Sequence, residues 1–404
     1  MTLVARPSSQ AIGRIVVLAD QSAQYTVAGL LQLDRLLRTL EECFAPALTQ
    51  GNAPELVVLW ETSSLREVRS SRFATSNLTA GQSLPPGSSA TLVLPTNLVF
   101  RRGALARLLR APSDHPACAI LPPGEFPASW EALRSRLGSA RSDESVWVLD
   151  TERDIPRTER QLFRASGKPS DGLVSRTLNR PISQLLSRWL VQTSITPNQI
   201  SFMVLGVLAA GTWTVARGTP QGFVLGVLLF HLASVLDGCD GEIARAKFLE
   251  TRRGAWLDTS VDLLGNFLLP LAIALGLSRQ AGLPAELRSS YLLEGILTSA
   301  GIALGIVGVA RARPTGRADF NDFGSTAVER FGVPRWLTAV LKACVNLLRR
   351  DSYVFIFVIF AVLGAPEWIL HFLAIGVALH LPVIAWSWWT SARMDGVLKA
   401  PDRP

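Results

Sequence analysis

Four aspartates interrupt the most apolar part of this chain, and few folds can hold them there. Asp237 and Asp240 close one apolar run, and Asp258 and Asp262 open the next. The first pair is three residues apart and the second four, so on helices each pair shares a face. An antiparallel helical hairpin turning near Leu249–Arg253 brings both pairs to similar depth, where they can converge. Four like charges converge in a poorly solvated place only around something positive. Oxygen-only ligands favour a hard cation, Mg²⁺ or Mn²⁺, and four carboxylates can hold two such ions. A two-metal site suits displacement at phosphorus. Gly241 and Gly254 leave the backbone open to a bulky ligand or a neighbouring helix, and Arg245 is a fork donor suited to phosphate. Two blander readings exist: an acidic relay in a proton- or cation-coupled membrane carrier, and a structural ion-pair network. The spacing, the two glycines and the arginine weigh against both.

The surrounding chain reads as membrane protein. Its 404 residues exceed one domain, and a mean hydropathy of +0.28 is too apolar for an ordinary soluble one. Apolar runs fall near Ile200–Ala216, Gly222–Leu236, Ala255–Leu277, Tyr291–Val309, Tyr353–Ala365 and Trp368–Trp389, which predicts about six spans. The second continues as helix through Asp237 and Ala244. The 11 Trp and 17 Phe fit an interfacial aromatic belt. The net charge of +8 is dispersed beside the apolar runs, so it reads as topology signal and phosphate contact, against a nucleic-acid partner. Cys43, Cys118, Cys239 and Cys344 show no metal or disulfide spacing, and Cys239 reads as a packing residue. The opening residues lack a long apolar stretch, so no cleaved secretory signal is expected.

Arg245, Lys247, Arg252 and Arg253 share one side with the basic stretch Ala310–Arg350, which holds Arg311, Arg313, Arg349 and Arg350 and a predicted helix at Pro334–Leu348. The other side offers Arg217, Arg279 and Arg288. The basic side is expected to be cytoplasmic, with the aspartates and the first domain.

Residues 1–165 contain no run long enough to span a bilayer. Short β-type runs at Arg14–Ala19, Leu56–Trp60, Thr91–Leu94, Ala117–Leu121 and Val146–Leu149 alternate with helical periods, notably Leu30–Phe44. That predicts an α/β domain with a largely parallel sheet. Gly81–Ser89 reads as a loop. Residues 166–195 form a linker and juxtamembrane segment. Within Leu173–Val191, Leu178, Ile182, Leu185, Leu186, Trp189 and Leu190 repeat at helical spacing among Arg176, Arg180 and Arg188, as in an amphipathic interfacial helix; packing on the first domain is the alternative. Thr196-Pro197-Asn198 reads as a capped helix start, and 196–404 forms the membrane domain.

The central stretch reads D-x-x-D-G-x-x-A-R from Asp237 to Arg245, eight residues, then G-x-x-x-D-x-x-x-D from Gly254 to Asp262. It is identified as the signature of the CDP-alcohol phosphotransferases, every spacing kept. The resemblance implies a homodimeric membrane enzyme using divalent metal, with Asp237, Asp240, Asp258 and Asp262 as ligands and Asp262 also as general base. It implies nucleotide contacts at Gly241, Ala244, Arg245, Thr251 and Gly254, and at Asn198 and Ser201, although helix capping explains Thr251 and the 196–198 stretch as well. From Asp171 to Asn198 the chain resembles the fused inositol-1-phosphate cytidylyltransferase/di-myo-inositol-phosphate-phosphate synthase type. Two donors stay open, CDP-inositol with inositol phosphate as acceptor and CDP-diacylglycerol with a polar alcohol, because the motif binds what they share.

The first domain loosely resembles a sugar-nucleotide nucleotidyltransferase. The loop after Ile15–Ala19 lacks the repeated glycines, offers no Arg or Lys before Arg35, and Asn97 stands where that family places a metal-binding Asp. The resemblance implies a retained shape with nucleotidyl transfer lost; an active enzyme with an altered loop is the other reading.

Overall fold

The computed structural model describes residues 12–62, 72–80, 82, 89–110, 118–124, 129–137, 142–167, 171–311, 350–379 and 381–382. The expected helix at Pro334–Leu348, Cys344, most of the Gly81–Ser89 loop and the end of the sixth apolar run lie outside them. The chain divides into two compact units, 1–166 with Arg188–Ser194 and Arg245–Phe248, and the remainder.

The first unit is the expected α/β layer. Its main sheet has the order β5-β4-β1-β6-β8: β5 (Thr75–Thr79), β4 (Glu55–Trp60), β1 (Ile12–Ala19), β6 (Ala90–Pro95) and β8 (Ala119–Leu121). The first four are parallel and β8 is an antiparallel edge. β1, β4 and β6 are nearly continuous apolar runs because both faces of the sheet are covered. Ile15, Val17, Leu56, Leu92 and Leu94 face α1 (Gln32–Cys43) on one side. Val16, Leu18, Val57 and Val93 pack with Leu133 of α4 (Trp130–Arg136) on the other. The run at Val146–Leu149 becomes β9 (Val146–Val148), paired antiparallel with β7 (Leu98–Phe100) outside the main sheet.

The loop after β1 is short. Asp20 caps a 3-10 turn, Gln21–Gln24. A two-residue hairpin follows, β2 (Thr26–Val27) against β3 (Leu30–Leu31), with Ala28 at φ 46° and Gly29 at φ 70°, the positive angles that tight hairpin turns require. Arg35 is buried, donates to the Val27 carbonyl at 2.7 Å, and is pushed down to about 10 by burial.

The second unit is helical: α7 (Pro197–Ala216), α8 (Pro220–Lys247), α9 (Arg252–Ser278) and α10 (Ala285–Arg311), then α11 (Arg350–Val362) and α12 (Glu367–Leu379). Among the described residues, four helices are long and apolar enough to cross a membrane, and α11 and α12 contribute shorter apolar helices. The protein is thus an integral membrane protein, without the full count of six on the described residues. α9 packs against both α7 and α10. Small residues allow close approach: a Cβ at Gly276 would collide with the Val215 carbonyl, and one at Gly226 with the Val215 side chain. Leu225, Leu228, Leu232, Ile296, Leu297 and Leu304 stay exposed, as lipid-facing positions should.

Burial pushes the Cys43 thiol from 9.0 up to about 11, Arg110 opposing and Glu42 reinforcing. At pH 8 its thiolate should be roughly a hundredfold scarcer than that of an ordinary cysteine. We expect iodoacetamide to label Cys43 about a hundredfold slower than an unfolded peptide, read residue by residue by mass spectrometry. Labelling at the peptide rate would contradict this burial.

Candidate active site

The motif folds as the spacing predicts. α8 runs unbroken through Asp237, Asp240, Gly241 and Ala244 to Lys247. Phe248 ends it at φ 55°, with the Leu249 amide donating to the Ala244 carbonyl at 2.8 Å, a left-handed helix stop built without glycine. Thr251 then caps α9, its hydroxyl accepting from the Gly254 amide at 3.0 Å. Thr251 is therefore occupied as a cap.

The two helices bring their carboxylates together at one point. The Asp240 and Asp258 side chains lie within hydrogen-bonding reach of each other. Asp240 is buried, at 5% exposure, and accepts from Ser201 Oγ of α7 at 2.7 Å. Asp258 is half-buried on α9. Asp237 and Asp262 are half-buried as well and lie farther from the turn on the same helices. Among the described residues, no group of three or more His, Cys, Asp or Glu is gathered at metal-binding spacing. The donor chemistry nevertheless fits a hard divalent cation: all are carboxylate oxygens, and a carboxylate pair this close needs a shared proton or a cation between them.

The start of α7 meets the start of α9. Thr196 caps α7 in a reciprocal box with Gln199, Pro197 taking the first turn. That leaves Asn198 exposed, with Oδ1 about 3.0 Å from where a Gly254 Cβ would sit. Asn198, Thr251 and Gly254 thus cluster at one corner, and any side chain at 254 would fill it. Ser201 is turned to Asp240. Arg245 groups with the first unit.

A feature absent from the sequence reading lies behind the motif. Glu242 is fully buried and accepts from Ser187 at 2.7 Å, Ser183 at 2.9 Å and Arg180 Nη1 at 2.9 Å. Arg180 also grips Asp171 through two bonds of 2.9 and 3.0 Å. Burial works against the Arg180 charge, but Asp171 and Glu242 outweigh it and hold its pKa above the ordinary value. These residues belong to the juxtamembrane segment, where a π-helical turn (Ser175–Asn179) leads into α6 (Arg180–Leu190). Its small polar residues, Asn179, Ser183 and Ser187, are buried, while Ile182, Leu185 and Trp189 are exposed. Gly238 makes room for Ser183, and the Cys239 thiol lies 3.5 Å from the Ser183 carbonyl, so Cys239 is indeed a packing residue. The signal in the sequence was the Ser183/Ser187 spacing opposite the apolar stripe.

The CDP-alcohol phosphatidyltransferase family model matches residues 194–379, the stretch that holds these helices and the acidic pair. The chain is further similar to proteins named bifunctional IPC transferase and DIPP synthase. That of Archaeoglobus fulgidus is 30% identical over 261 residues, 64% of this chain and 47% of the relative. That of Aquifex aeolicus is 35% identical over 36% of this chain and 33% of the relative. That of Rubrobacter xylanophilus is 37% identical over 39% and 36%. The matched stretches span about half or less of these relatives.

Removing Arg180 strands two carboxylates, one of them at 0% side-chain exposure. Loss of one partner of a buried pair costs about 3–5 kcal/mol, so Arg180→Met should lower the melting temperature in detergent sharply. Glu242→Gln keeps an acceptor for the serines and should lower it less. Equal shifts would mean that the charge of Arg180 is not what holds α6.

Proposed function

We propose that the chain is an integral-membrane CDP-alcohol phosphotransferase. It moves a phosphoryl-alcohol group from a CDP-linked donor, CDP-inositol or CDP-diacylglycerol, to an acceptor hydroxyl such as that of an inositol phosphate, and releases CMP. The observation that carries this reading is the approach of Asp240 to Asp258 across two membrane helices inside an intact family motif. The names of the relatives favour the inositol donor.

In this reading Asp237, Asp240, Asp258 and Asp262 would hold Mg²⁺ or Mn²⁺, two ions. When bound, the ions supply charge neutralisation at the pyrophosphate oxygens. Gly254 and Asn198 would meet the nucleotide at the α7–α9 corner and Gly241 and Ala244 would meet it from α8, and Arg245 would donate to phosphate oxygen. Thr251 and Ser201 act indirectly, Thr251 by fixing the first turn of α9 and Ser201 by orienting the Asp240 carboxylate. Asp262 accepts the proton of the acceptor hydroxyl. The freed oxygen bonds to the distal phosphorus, the bond from that phosphorus to the bridging oxygen breaks, and CMP carries the electron pair away.

The basic flanks of the spans support a cytoplasmic position for this end of the helices. A homodimer is part of the proposal, carried from the family resemblance. The capped 3-10 turn after β1, and Arg35 bonded to backbone carbonyls, support the reading that the first unit has lost nucleotidyl transfer.

In detergent, the protein should release CMP from CDP-inositol plus inositol phosphate, or from CDP-diacylglycerol plus a polar alcohol. Release should stop with EDTA and return with Mg²⁺ or Mn²⁺. Asp262→Asn should lower kcat by about 10²–10⁴-fold, the usual worth of a general base, without changing the melting temperature. Normal turnover in that variant removes the base assignment. Metal-dependent substrate counterflow without CMP release would favour a carrier instead.

A further inference from the structure

The turn between the two helices that carry the aspartates holds an unusual residue. Phe248 stands at φ 55° between α8 and α9. Gly or Asn takes that left-handed state readily, whereas for a bulky side chain it is an outlier. A helix stop alone would therefore not select Phe. Such an outlier persists where its surroundings over-determine it, and outliers of this kind gather at functional sites.

The surroundings of Phe248 belong to the first unit, which includes Arg245–Phe248 and Arg188–Ser194. Arg35 and Arg102 place their guanidinium carbons 5.9 Å and 5.2 Å from the centre of the Phe248 ring. Both distances are within cation–π reach, and Arg makes this contact more often than Lys. Each arginine is held from behind. Arg35 is buried and donates to the Val27 carbonyl at 2.7 Å, and Arg102 Nε donates to Glu42 at 3.1 Å. The neighbouring Lys247 Nζ donates to the Thr193 carbonyl at 3.0 Å. The β2–β3 hairpin closes on the same place, since a Cβ at Gly29 would collide with the Val191 carbonyl and the Lys247 side chain.

This clamp sits where it can act on the chemistry. α8 ends at Lys247 and α9 begins at Arg252, so Phe248–Thr251 is the whole connection. Asp240 and Asp258 each lie about two helical turns from it. A connection this short passes any shift of Phe248 on to the first turn of α9. We propose that Phe248 is a positioning residue, its ring held by Arg35 and Arg102 so that the α8–α9 turn keeps Asp240 and Asp258 at the separation the transfer needs. This rests on the transferase reading above, and it gives the first unit a task that requires no nucleotide. Arg35, the first basic residue after β1, then serves the turn and not a phosphate.

The test is CMP release by the full chain in detergent, with kcat and donor KM measured separately beside the melting temperature. Phe248→Tyr keeps the ring and should turn over like the wild type. Phe248→Leu and Phe248→Gly should lower kcat about 10- to 100-fold, the scale of misplaced reacting groups, and change donor KM little. Glycine relaxes the positive φ, so Phe248→Gly should melt higher than Phe248→Leu. A residue with only a structural role would show activity following that order. Arg102 is half-buried, so Arg102→Gln should fold even if Arg35 variants do not. Its loss of kcat should not add to that of Phe248→Leu. The proposal is overturned if Phe248→Gly keeps a normal kcat, if Phe248→Tyr loses as much as Phe248→Leu, or if the Arg102→Gln and Phe248→Leu losses add in full. A wild type that releases no CMP from either donor sinks the transferase reading instead. The same cycle read in melting temperature then decides on the clamp, and additive losses overturn it.

Discussion

Two carboxylates held within hydrogen-bonding reach at the ends of apolar helices are the constraint that the membrane unit is arranged to bear. Asp240 and Asp258 would repel each other in any loosely held pair of helices. The Ser201 hydroxyl from α7 fixes the buried member, the Thr251 cap fixes the first turn of α9, and packing of α9 against α7 and α10 sets its depth. Each of these bonds would be unremarkable in a soluble protein. In a lipid environment a side chain that swings away has no water to receive it, so the geometry tolerates little drift.

Support from behind matters as much. At about 100° per residue, Glu242 lies roughly 200° round α8 from Asp240. The acidic face and the Glu242 anchor therefore occupy opposite sides of one helix. Three donors converge on the buried Glu242 carboxylate, which is what an ionised carboxylate needs when no water reaches it. The anchor fixes the rotation of α8 about its axis, and this rotation decides where Asp237 and Asp240 point.

Much of this was legible beforehand, for definite reasons. Strands β1, β4 and β6 were visible because a parallel sheet covered on both faces demands continuous β-branched runs. The polar edge strand β5, Thr75–Thr79, offered no such run and was missed. α8 and α9 were visible because their apolar lengths and the motif spacing agree. The Arg180–Glu242 anchor was not, since Arg180 alone reads as a surface charge on a juxtamembrane helix and nothing in the sequence pairs it with Glu242 of α8. Only tertiary structure shows that Gly238 lets Ser183 approach and that Asp171 completes the set. Asn198 and Gly254 were each expected to contact the nucleotide from resemblance, and the corner they share depends on Pro197 and Thr251 starting their helices at the same place.

The orientation of α6 follows from the solvent on its outer face. In water a helix with the stripe Ile182, Leu185 and Trp189 would turn that stripe inward. Here the stripe is exposed and the serines are buried. A lipid surface on that side would reverse the preference, because apolar side chains gain nothing by leaving lipid whereas polar ones must find partners inside. Glu242 supplies the partners, so the polar face of α6 can point only at α8.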